Sequence, residues 1–178
     1  MKFEAVSEQN RKHEGEVVLP LRATKSSCGY DFVCTEDVVI EPQKQVFFFT
    51  DVKVELPQGK FLYLVVRSSL GVKKGLMLAN TNGIIDADYY NNAYNEGNIG
   101  LCLKNMLPSF EFTGNIQIGL PNDANFLVPQ IRDLKEQNTI TLHKGDRVVQ
   151  GIILDYYVTE FDNATQIREG GFGSTDNK

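Results

Sequence analysis

Short apolar segments separated by turn residues constrain the fold of this chain more than any other feature. Apolar and polar residues alternate over positions 52–56, and Pro57-Gln58-Gly59 then gives a turn signal. A period of two that recurs between such signals is typical of half-buried β-strands. Residues 61–66 are apolar on both faces, as in a central strand. Because no long amphipathic helical pattern competes, the sequence predicts an all-β sandwich or barrel-like domain.

Composition narrows the functional classes. The 178 residues suffice for one domain with a real core. The net charge is −5 and no basic run stands out, so we expect no nucleic-acid partner. Three cysteines without a CxxC pair and two histidines argue against a zinc site or a disulfide framework. No transmembrane run and no apolar signal segment are apparent, so we expect no membrane partner and a cytoplasmic protein.

The stretch from Asn80 to Tyr89 carries the strongest candidate for chemistry. Its Asn/Gly turn between two apolar runs predicts a β-hairpin, with Gly83 allowing close backbone approach to a ligand or a positive φ. Asp86, just past the turn, is placed to orient a water, and Tyr89 offers a ring. A surface hairpin with solvated aspartates is the alternative. Strict alternation separates Asp86 from Tyr89, so both contact one ligand only if the strand bends or ends between them.

Three further polar positions have both a binding and a structural interpretation. Asp31, flanked by aromatic residues, can hold a hydrated cation or satisfy a turn. Arg67-Ser68-Ser69-Leu70-Gly71 follows the central strand and offers donors for an anion, or simply a serine helix cap. Gln150 lies inside an apolar run, where a buried amide needs a partner. Asp146 and Arg147 are expected to form a structural ion pair.

Two segments stand apart from the strand pattern. Residues 106–137 are too long for a simple loop, and we interpret them as an inserted flap or edge element in which residues 116–120 form a strand and residues 129–135 a short helix. The glycine-rich end, residues 162–178, suits a mobile lid. The predicted organisation is therefore one β domain over residues 1–161, with the insertion at 106–137, and a C-terminal arm over 162–178.

Five motifs in order resemble those of the trimeric dUTPase family. They are Gly29-Tyr30-Asp31, Arg67-Ser68-Ser69-Leu70-Gly71, Gly83-Ile84-Ile85-Asp86-Ala87-Asp88-Tyr89, Gly145-Asp146-Arg147-Val148-Val149-Gln150 and Gly170-Gly171-Phe172-Gly173-Ser174-Thr175. The resemblance implies a distorted jelly-roll fold of the β-clip type. It further implies a homotrimer with shared active sites that uses Mg²⁺ to hydrolyse dUTP to dUMP and pyrophosphate, which keeps uracil out of DNA and supplies dUMP for dTMP synthesis.

The same resemblance implies a role for each matching residue. Asp86 would activate the attacking water, and Asp31 would hold the metal through water. Asn80 would pair with uracil beside the backbone at Gly83 and Ile85, and Tyr89 would exclude a 2′-hydroxyl. The phosphates would be held by Arg67, Ser68, Ser69, Gly71 and Gln150. The arm would contribute Arg168, Phe172, Gly173, Ser174 and Thr175, with Phe172 over the base; its Arg168-to-Phe172 spacing is one residue shorter than the family pattern.

Two alternatives remain open beside this interpretation. A dCTP deaminase of the same fold would need a glutamate three residues before Asn105, where this chain has Cys102. A regulatory protein on the dUTPase scaffold would act through a protein partner bound by the insertion. We retain the second as an added role, because Asp86, Arg67 and the arm motif are all present.

Overall fold

The computed structural model describes residues 1–119 and 125–165, which form antiparallel strands and one α-helix. The strands are β1 Lys2–Ala5, β2 Leu21–Arg22, β3 Tyr30–Val33, β4 Val38–Ile40, β5 Gln45–Phe49, β6 Val52–Glu55, β7 Lys60–Val66, β8 Leu76–Leu78, β9 Gly83–Asp86, β10 Gly100–Asn105, β11 Phe110–Gly119, β12 Asn125–Asp133, β13 Ile140–Leu142 and β14 Arg147–Asp155. The helix α1 spans Ser68–Lys74, and two short 3-10 helices span Glu8–Asn10 and Ala87–Tyr89. Within these ranges, no helix has the length and apolarity that a membrane span requires. The all-β prediction is confirmed.

The largest sheet contains five strands in the order β2-β3-β14-β7-β9. Strand β7 pairs with β14 on one side and β9 on the other, which confirms the central strand predicted from its apolar run. In this register Gln150 lies opposite Asp31 of β3, and Leu64 lies opposite Gly83 of β9. The sheet therefore carries three of the five sequence motifs, on β3, β14 and β9.

A second sheet, β5-β10-β8, and the pairs β1-β6 and β13-β4 complete the body of the domain. Side chains from both sheets join one buried apolar cluster, which includes Phe32, Leu62, Leu76, Leu101 and Leu103. Burial of such side chains contributes roughly 1.5–3 kcal/mol each to the free energy of folding. Antiparallel strands in two sheets around one core agree with the predicted distorted jelly roll.

The predicted β-hairpin before Asp86 is wrong, because β8 and β9 belong to different sheets. Strand β8 pairs with β10, and β9 pairs with β7. Only an isolated bridge between Leu78 and Thr81 joins the two segments directly. The intervening residues 79–82, here called the corner loop, carry the chain from one sheet to the other. A gap between two sheets at such a corner can hold a ligand.

The insertion is a β-hairpin rather than a strand and a helix. Strands β11 and β12 pair with each other and with no other strand among the described residues, and the pairing shifts register between Phe112 and Gly114. The helix predicted over residues 129–135 is wrong, since most of that range belongs to β12. At its base, the Leu134 N–H donates to the Ser109 carbonyl over 2.8 Å, which closes the hairpin on itself.

Candidate functional site

A cavity of about 730 Å³ lies where the corner loop crosses between the sheets. Its walls come from β7, β8, β9 and β10 together with the corner loop and Tyr89. The lining residues are Leu64, Leu78, Ala79, Asn80, Asn82, Gly83, Ile84, Ile85, Asp86, Tyr89, Gly100, Leu101 and Cys102. An apolar cavity with a few convergent polar groups is the usual form of a small-molecule site. The cavity is therefore lined by Asp86 together with the four residues that were predicted from the sequence to contact the base and the sugar. These are Asn80, Gly83, Ile85 and Tyr89.

Asp86 and Tyr89 reach the same cavity because the strand ends between them. Strand β9 stops at Asp86, and the 3-10 helix Ala87–Tyr89 follows at once. This change of backbone conformation removes the alternation that would place the two side chains on opposite faces. Asp86 is partly exposed, whereas Tyr89 is 5% exposed, so the carboxylate is accessible to water beside a buried ring.

Gly83 is required by packing rather than by backbone conformation. A Cβ built at Gly83 would lie 3.0 Å from Leu64 Cδ1 and 3.1 Å from Leu64 Cβ, closer than ordinary van der Waals contact. Of the two roles predicted for this glycine, close backbone approach or a positive φ, the second is not found, and the positive φ in this segment is at Thr81, with φ 66°. The absence of a side chain at Gly83 leaves room for Leu64, its cross-strand partner on β7.

The second candidate group is centred on Asp31, which is 5% exposed. Gln150 Nε2 donates to Asp31 Oδ1 over 3.0 Å, and Arg67 Nε lies 3.3 Å from the same oxygen. Arg147 Nη1 donates to Asp31 Oδ2 over 3.3 Å. Charge-assisted hydrogen bonds of this kind fix both the carboxylate and its donors. The structure thus joins residues from three sequence motifs. Gln150 was predicted to be a buried amide; it is only partly buried, and Asp31 is its partner.

Arg147 is a functional candidate that the sequence interpretation missed. It was expected to pair with Asp146, and that prediction is wrong. Asp146 Oδ2 accepts a hydrogen bond from the His143 N–H over 2.9 Å, while Arg147 contacts Asp31. The sequence gives no signal for the second contact, because it depends on the register between β14 and β3.

The motif after β7 begins helix α1. The N-cap residue is Arg67, whose side chain makes no capping bond, so the alternative of a serine helix cap is wrong. The Leu70 and Gly71 N–H groups donate to the Arg67 carbonyl over 2.9 Å and 3.0 Å. Ser68 and Ser69 are exposed at the start of the helix, where the first backbone N–H groups have no partner within the helix. Their hydroxyls and N–H groups suit an anion.

The two groups do not meet in one chain. Among the described residues, those lining the cavity include none of Asp31, Arg67, Ser68, Ser69, Gly71 and Gln150. Arg168, Phe172, Gly173, Ser174 and Thr175 lie outside the described residues. A single chain therefore presents a base-sized cavity with Asp86, and separately a cationic cluster suited to phosphates.

The sequence interpretation also did not predict the residues that form the far wall of the cavity. Leu101 and Cys102 of β10, together with Leu64 and Leu78, form its apolar surface. Burial raises the pKa of the Cys102 thiol, which keeps it neutral. The position where a deaminase of this fold carries its glutamate is thus a neutral part of an apolar wall.

Comparison with known proteins agrees with this geometry. The dUTPase family model matches residues 15–105. The deoxyuridine 5′-triphosphate nucleotidohydrolase of Lactococcus lactis is 34% identical over 175 residues, covering 97% of this chain and 95% of its own. The Streptococcus mutans dUTPase structure superposes with a TM-score of 0.66 at 32% identity, covering 90% of this chain and 99% of that one.

A dUTPase from phage phi11 of Staphylococcus aureus, described for its species-specific insert, has a TM-score of 0.59 at 27% identity over 97% of both chains. A second structure shows a variant of that phage enzyme and is described for the coordination of a structural Mg(II) ion. It is 28% identical to this chain and superposes with a TM-score of 0.59, covering 93% of this chain and 96% of that one. The family match over half of the chain and the full-length relatives, together with a base-sized cavity beside a carboxylate, show that the chain belongs to the dUTPase family and is an enzyme that hydrolyses dUTP.

Proposed function

We propose that Asp86 orients and deprotonates a water that attacks the α-phosphorus of dUTP in line, releasing dUMP and pyrophosphate. The observation that carries this role is the position of Asp86 at the mouth of the base-sized cavity, partly exposed and directly after the strand that forms one cavity wall. A positioned carboxylate accepts the proton of water as the new bond forms. Attack at the α-phosphorus gives dUMP in one step.

The cavity accounts for the choice of base and sugar. Asn80 and the backbone at Gly83 and Ile85 supply hydrogen-bonding groups for the edge of uracil, and close packing of this wall around the base would reject the added methyl group of thymine. A site built with base-edge hydrogen bonds also rejects cytosine, whose pattern leaves groups unpaired. Tyr89 lies against the deoxyribose and excludes a 2′-hydroxyl.

The Asp31 cluster holds the triphosphate through Arg67 and Gln150, with Ser68, Ser69 and Gly71 at the start of α1. Preorganised donors of this kind stabilise charge that develops on the leaving pyrophosphate. In the proposed arm, residues 162–178, Phe172 covers the base while Arg168, Gly173, Ser174 and Thr175 contact the phosphates. These arm roles are supported by the sequence motif.

The residues present fit a Mg²⁺ ion held through water. Asp31 accepts side-chain hydrogen bonds from Gln150 and Arg147 and forms an ion pair with Arg67, and a carboxylate has about four acceptor positions. Acceptor capacity therefore remains for a metal-bound water, whereas three protein carboxylate, thiolate or imidazole ligands do not gather anywhere in the described ranges. Mg²⁺ keeps most of its waters in such sites, and when bound it neutralises phosphate charge. The structural Mg(II) ion of the phage phi11 variant supports the use of this metal in the family.

A homotrimer with shared active sites explains why the two groups lie apart. The cavity with Asp86 would come from one subunit, and the Asp31 cluster with Arg67 from a second. Closed symmetric assemblies repeat such a composite site once per subunit. We place the assembled enzyme in the cytoplasm.

Mixing two inactive variants tests the shared site. We expect Asp86→Asn and Arg67→Ala homotrimers each to be nearly inactive. When the two chains are refolded together in equal amounts, random assembly into trimers gives about one site in four with both residues intact. Pyrophosphate release in the mixture should therefore recover to about a quarter of the wild-type rate.

The matched control is a mixture of Asp86→Asn with wild-type chain. About half of its sites keep Asp86, so its activity shows that refolded enzyme remains active. Native mass spectrometry of the mixture of Asp86→Asn with Arg67→Ala shows whether trimers that contain both chains have formed. If mixed trimers are present and the control is active while the two variants together show no recovery, both residues serve a site within one chain, and the shared-site proposal is wrong.

The insertion supports a second role, binding of a protein partner. In the register of β11 with β12, Phe110, Phe112, Leu127 and Ile131 share one face of the hairpin. Phe112 and Ile131 are cross-strand partners that are 68% and 58% exposed. Exposed apolar surface of this kind marks interaction sites. Because this hairpin pairs with no other described strand, the face is available on the free chain.

Variants on the two faces of the hairpin test this role. We expect Phe112→Ser with Ile131→Ser to abolish partner capture by the purified trimer while dUTP hydrolysis stays near wild type. The matched control is the pair Ile116→Ser and Val128→Ser, which are cross-strand partners on the opposite face. Equal capture by both double variants would contradict the proposal, and loss of the trimer by light scattering would assign the face to contacts between subunits.

A further inference from the structure

The loop that follows Tyr89 is polar in sequence but buried in the structure. Asn92, Asn95 and Asn98 are 7%, 6% and 0% exposed. Buried amides are costly unless they are hydrogen-bonded, so three of them in one short loop require a defined arrangement. We define this segment, residues 91–98, as the asparagine loop.

Asn95 is the centre of the arrangement. Its Nδ2 donates to Tyr89 Oη over 2.9 Å and to the Asn98 carbonyl over 3.2 Å. Its Oδ1 accepts from Asn92 Nδ2 over 2.9 Å and from the Gly97 N–H over 3.1 Å. All four hydrogen-bonding positions of the amide are therefore used. The two accepted bonds hold the loop together. The two donated bonds go to Tyr89 Oη and to the Asn98 carbonyl, which Tyr89 also contacts.

Tyr89 is held at both ends by this loop. Its Oη donates to the Asn98 carbonyl over 3.0 Å, and its own carbonyl accepts from Asn92 Nδ2 over 2.7 Å. Gly97 passes so close that a Cβ there would lie 2.6 Å from the Tyr89 carbonyl oxygen. Tyr89 lines the cavity, while its hydroxyl is bonded to Asn95 and to the Asn98 carbonyl, which do not line it. The position of the ring is thus set by the loop and not only by its own strand.

The loop is itself anchored to the body of the domain. Asn98 Nδ2 donates to Asp51 Oδ1 over 2.9 Å, and the Asp51 N–H donates to Asn98 Oδ1 over 3.0 Å. Asp51 is 2% exposed and also accepts from His13 and Lys12 N–H groups. The carbonyl that receives the Tyr89 hydroxyl therefore belongs to a residue fixed by a reciprocal pair of hydrogen bonds.

We propose that Asn95 is a positioning residue that sets the discrimination between dUTP and UTP by fixing the Tyr89 ring against the sugar. This inference rests on the proposed contact between Tyr89 and the deoxyribose. A ring that excludes one hydroxyl must be placed to within a fraction of an ångström, and the paired bonds at its Oη supply that precision. Without them the ring can yield, and a ribose can enter.

A double-mutant cycle tests the inference. Tyr89→Phe removes the hydroxyl and keeps the ring. Asn95→Asp keeps both acceptor bonds within the loop. Its second oxygen can only accept, so both donated bonds are lost and the Tyr89 hydroxyl is drawn to the new carboxylate instead of the Asn98 carbonyl. The measured quantity is the ratio of kcat/KM for dUTP to kcat/KM for UTP. We expect each single variant to lower this ratio about tenfold, the worth of one hydrogen bond, mainly through better use of UTP. The double variant should be no lower than either single variant, because both act on the same contact.

Tyr94→Ala is the matched control in the same loop. The Tyr94 side chain is 78% exposed, and its recorded hydrogen bond is made by the backbone N–H to Asn92 Oδ1. We expect its selectivity ratio to equal that of wild type. Thermal unfolding of every variant separates the two roles: a lower midpoint with an unchanged ratio means that Asn95 is only structural and overturns the inference. Multiplicative effects in the double variant also overturn it.

Tyr89→Ala distinguishes failure of this inference from failure of the proposed sugar contact. If Tyr89→Ala leaves the ratio unchanged, Tyr89 does not select the sugar, and the proposed role of Tyr89 fails. If Tyr89→Ala relaxes selection while Tyr89→Phe and Asn95→Asp do not, the sugar contact stands and the positioning role of Asn95 is wrong. If Asn95→Asp does not fold, Tyr89→Phe alone decides, since an unchanged ratio there refutes the role of the anchor.

Discussion

The Asp86→Asn enzyme is expected to bind dUTP with near wild-type affinity and to turn it over about 10²–10⁴-fold more slowly, the usual worth of a positioned general base. Asparagine has nearly the same shape as aspartate, so the cavity and the end of β9 are preserved. The amide cannot accept the proton of the attacking water, and this is the function that is lost. Single-turnover rates of pyrophosphate release at saturating Mg²⁺, with binding measured separately by calorimetry, check the prediction.

Asp88→Asn is the matched control for Asp86→Asn. Asp88 belongs to the 3-10 helix that follows Asp86, is exposed, and is not among the residues that line the cavity. It loses the same charge two residues away, so a general effect of net charge would slow both variants alike. Near-normal turnover of Asp86→Asn, or equal losses in the two variants, would remove Asp86 from the role of base.

Removal of every residue after Gln166 is expected to abolish most activity while the trimer stays folded. The truncated segment carries Arg168, Phe172 and the hydroxyls of Ser174 and Thr175, which are the groups proposed to cover the base and contact the phosphates. An element that positions substrate and excludes water supplies on the order of a hundredfold in rate, because small displacements of reacting groups are costly. We expect kcat/KM to fall by about that factor, with unchanged thermal unfolding and light scattering.

A shorter truncation controls for the length of the chain. Removal of residues 176–178 leaves the whole motif in place and is expected to keep near wild-type kcat/KM. Full activity of the enzyme cut after Gln166 would contradict the lid. A truncated enzyme that is both inactive and monomeric would instead assign the segment to assembly.

The strand content of the domain could be predicted because it is local information. Residues 61–66 are apolar on both faces, and a strand that is covered on both sides has no other pattern available. The need for a partner at Gln150 was likewise predictable, since an amide inside an apolar run must be hydrogen-bonded, although the structure leaves this residue only partly buried. Its partner, Asp31, follows from the register between β14 and β3, which the local sequence does not contain.

The errors arise where pairing across the chain decides the structure. Ile131 and Leu134 have the spacing of a helix face, yet β11 supplies a strand partner, and tertiary pairing overrides a weak local preference. The corner loop has the residues of a hairpin turn, but its flanking strands find different neighbours. Arg147 pairs with Asp31 because of the β14–β3 register, which no local pattern contains.

The asparagine loop shows why polar composition does not establish exposure. Its sequence is polar and turn-like. In the structure the side chains of Asn92, Asn95 and Asn98 form hydrogen bonds with one another and with the backbone. These bonds offset the free-energy cost of burying the amides. A run of amides can therefore build an interior, and only the partners of each amide reveal which case applies.

The hairpin formed by β11 and β12 is a separate two-stranded sheet, attached to the catalytic body at its base. Among the described residues, its strands pair only with each other. The chain enters and leaves the hairpin side by side. At that point Asn105 Nδ2 donates to the Asn138 carbonyl over 2.8 Å, and Asn138 Nδ2 donates to the Pro108 carbonyl over 2.8 Å. Length and surface chemistry between these anchors can change without moving the cavity or the Asp31 cluster. Such a segment is a natural attachment point, at which new recognition can be gained or discarded while nucleotide hydrolysis continues unaltered.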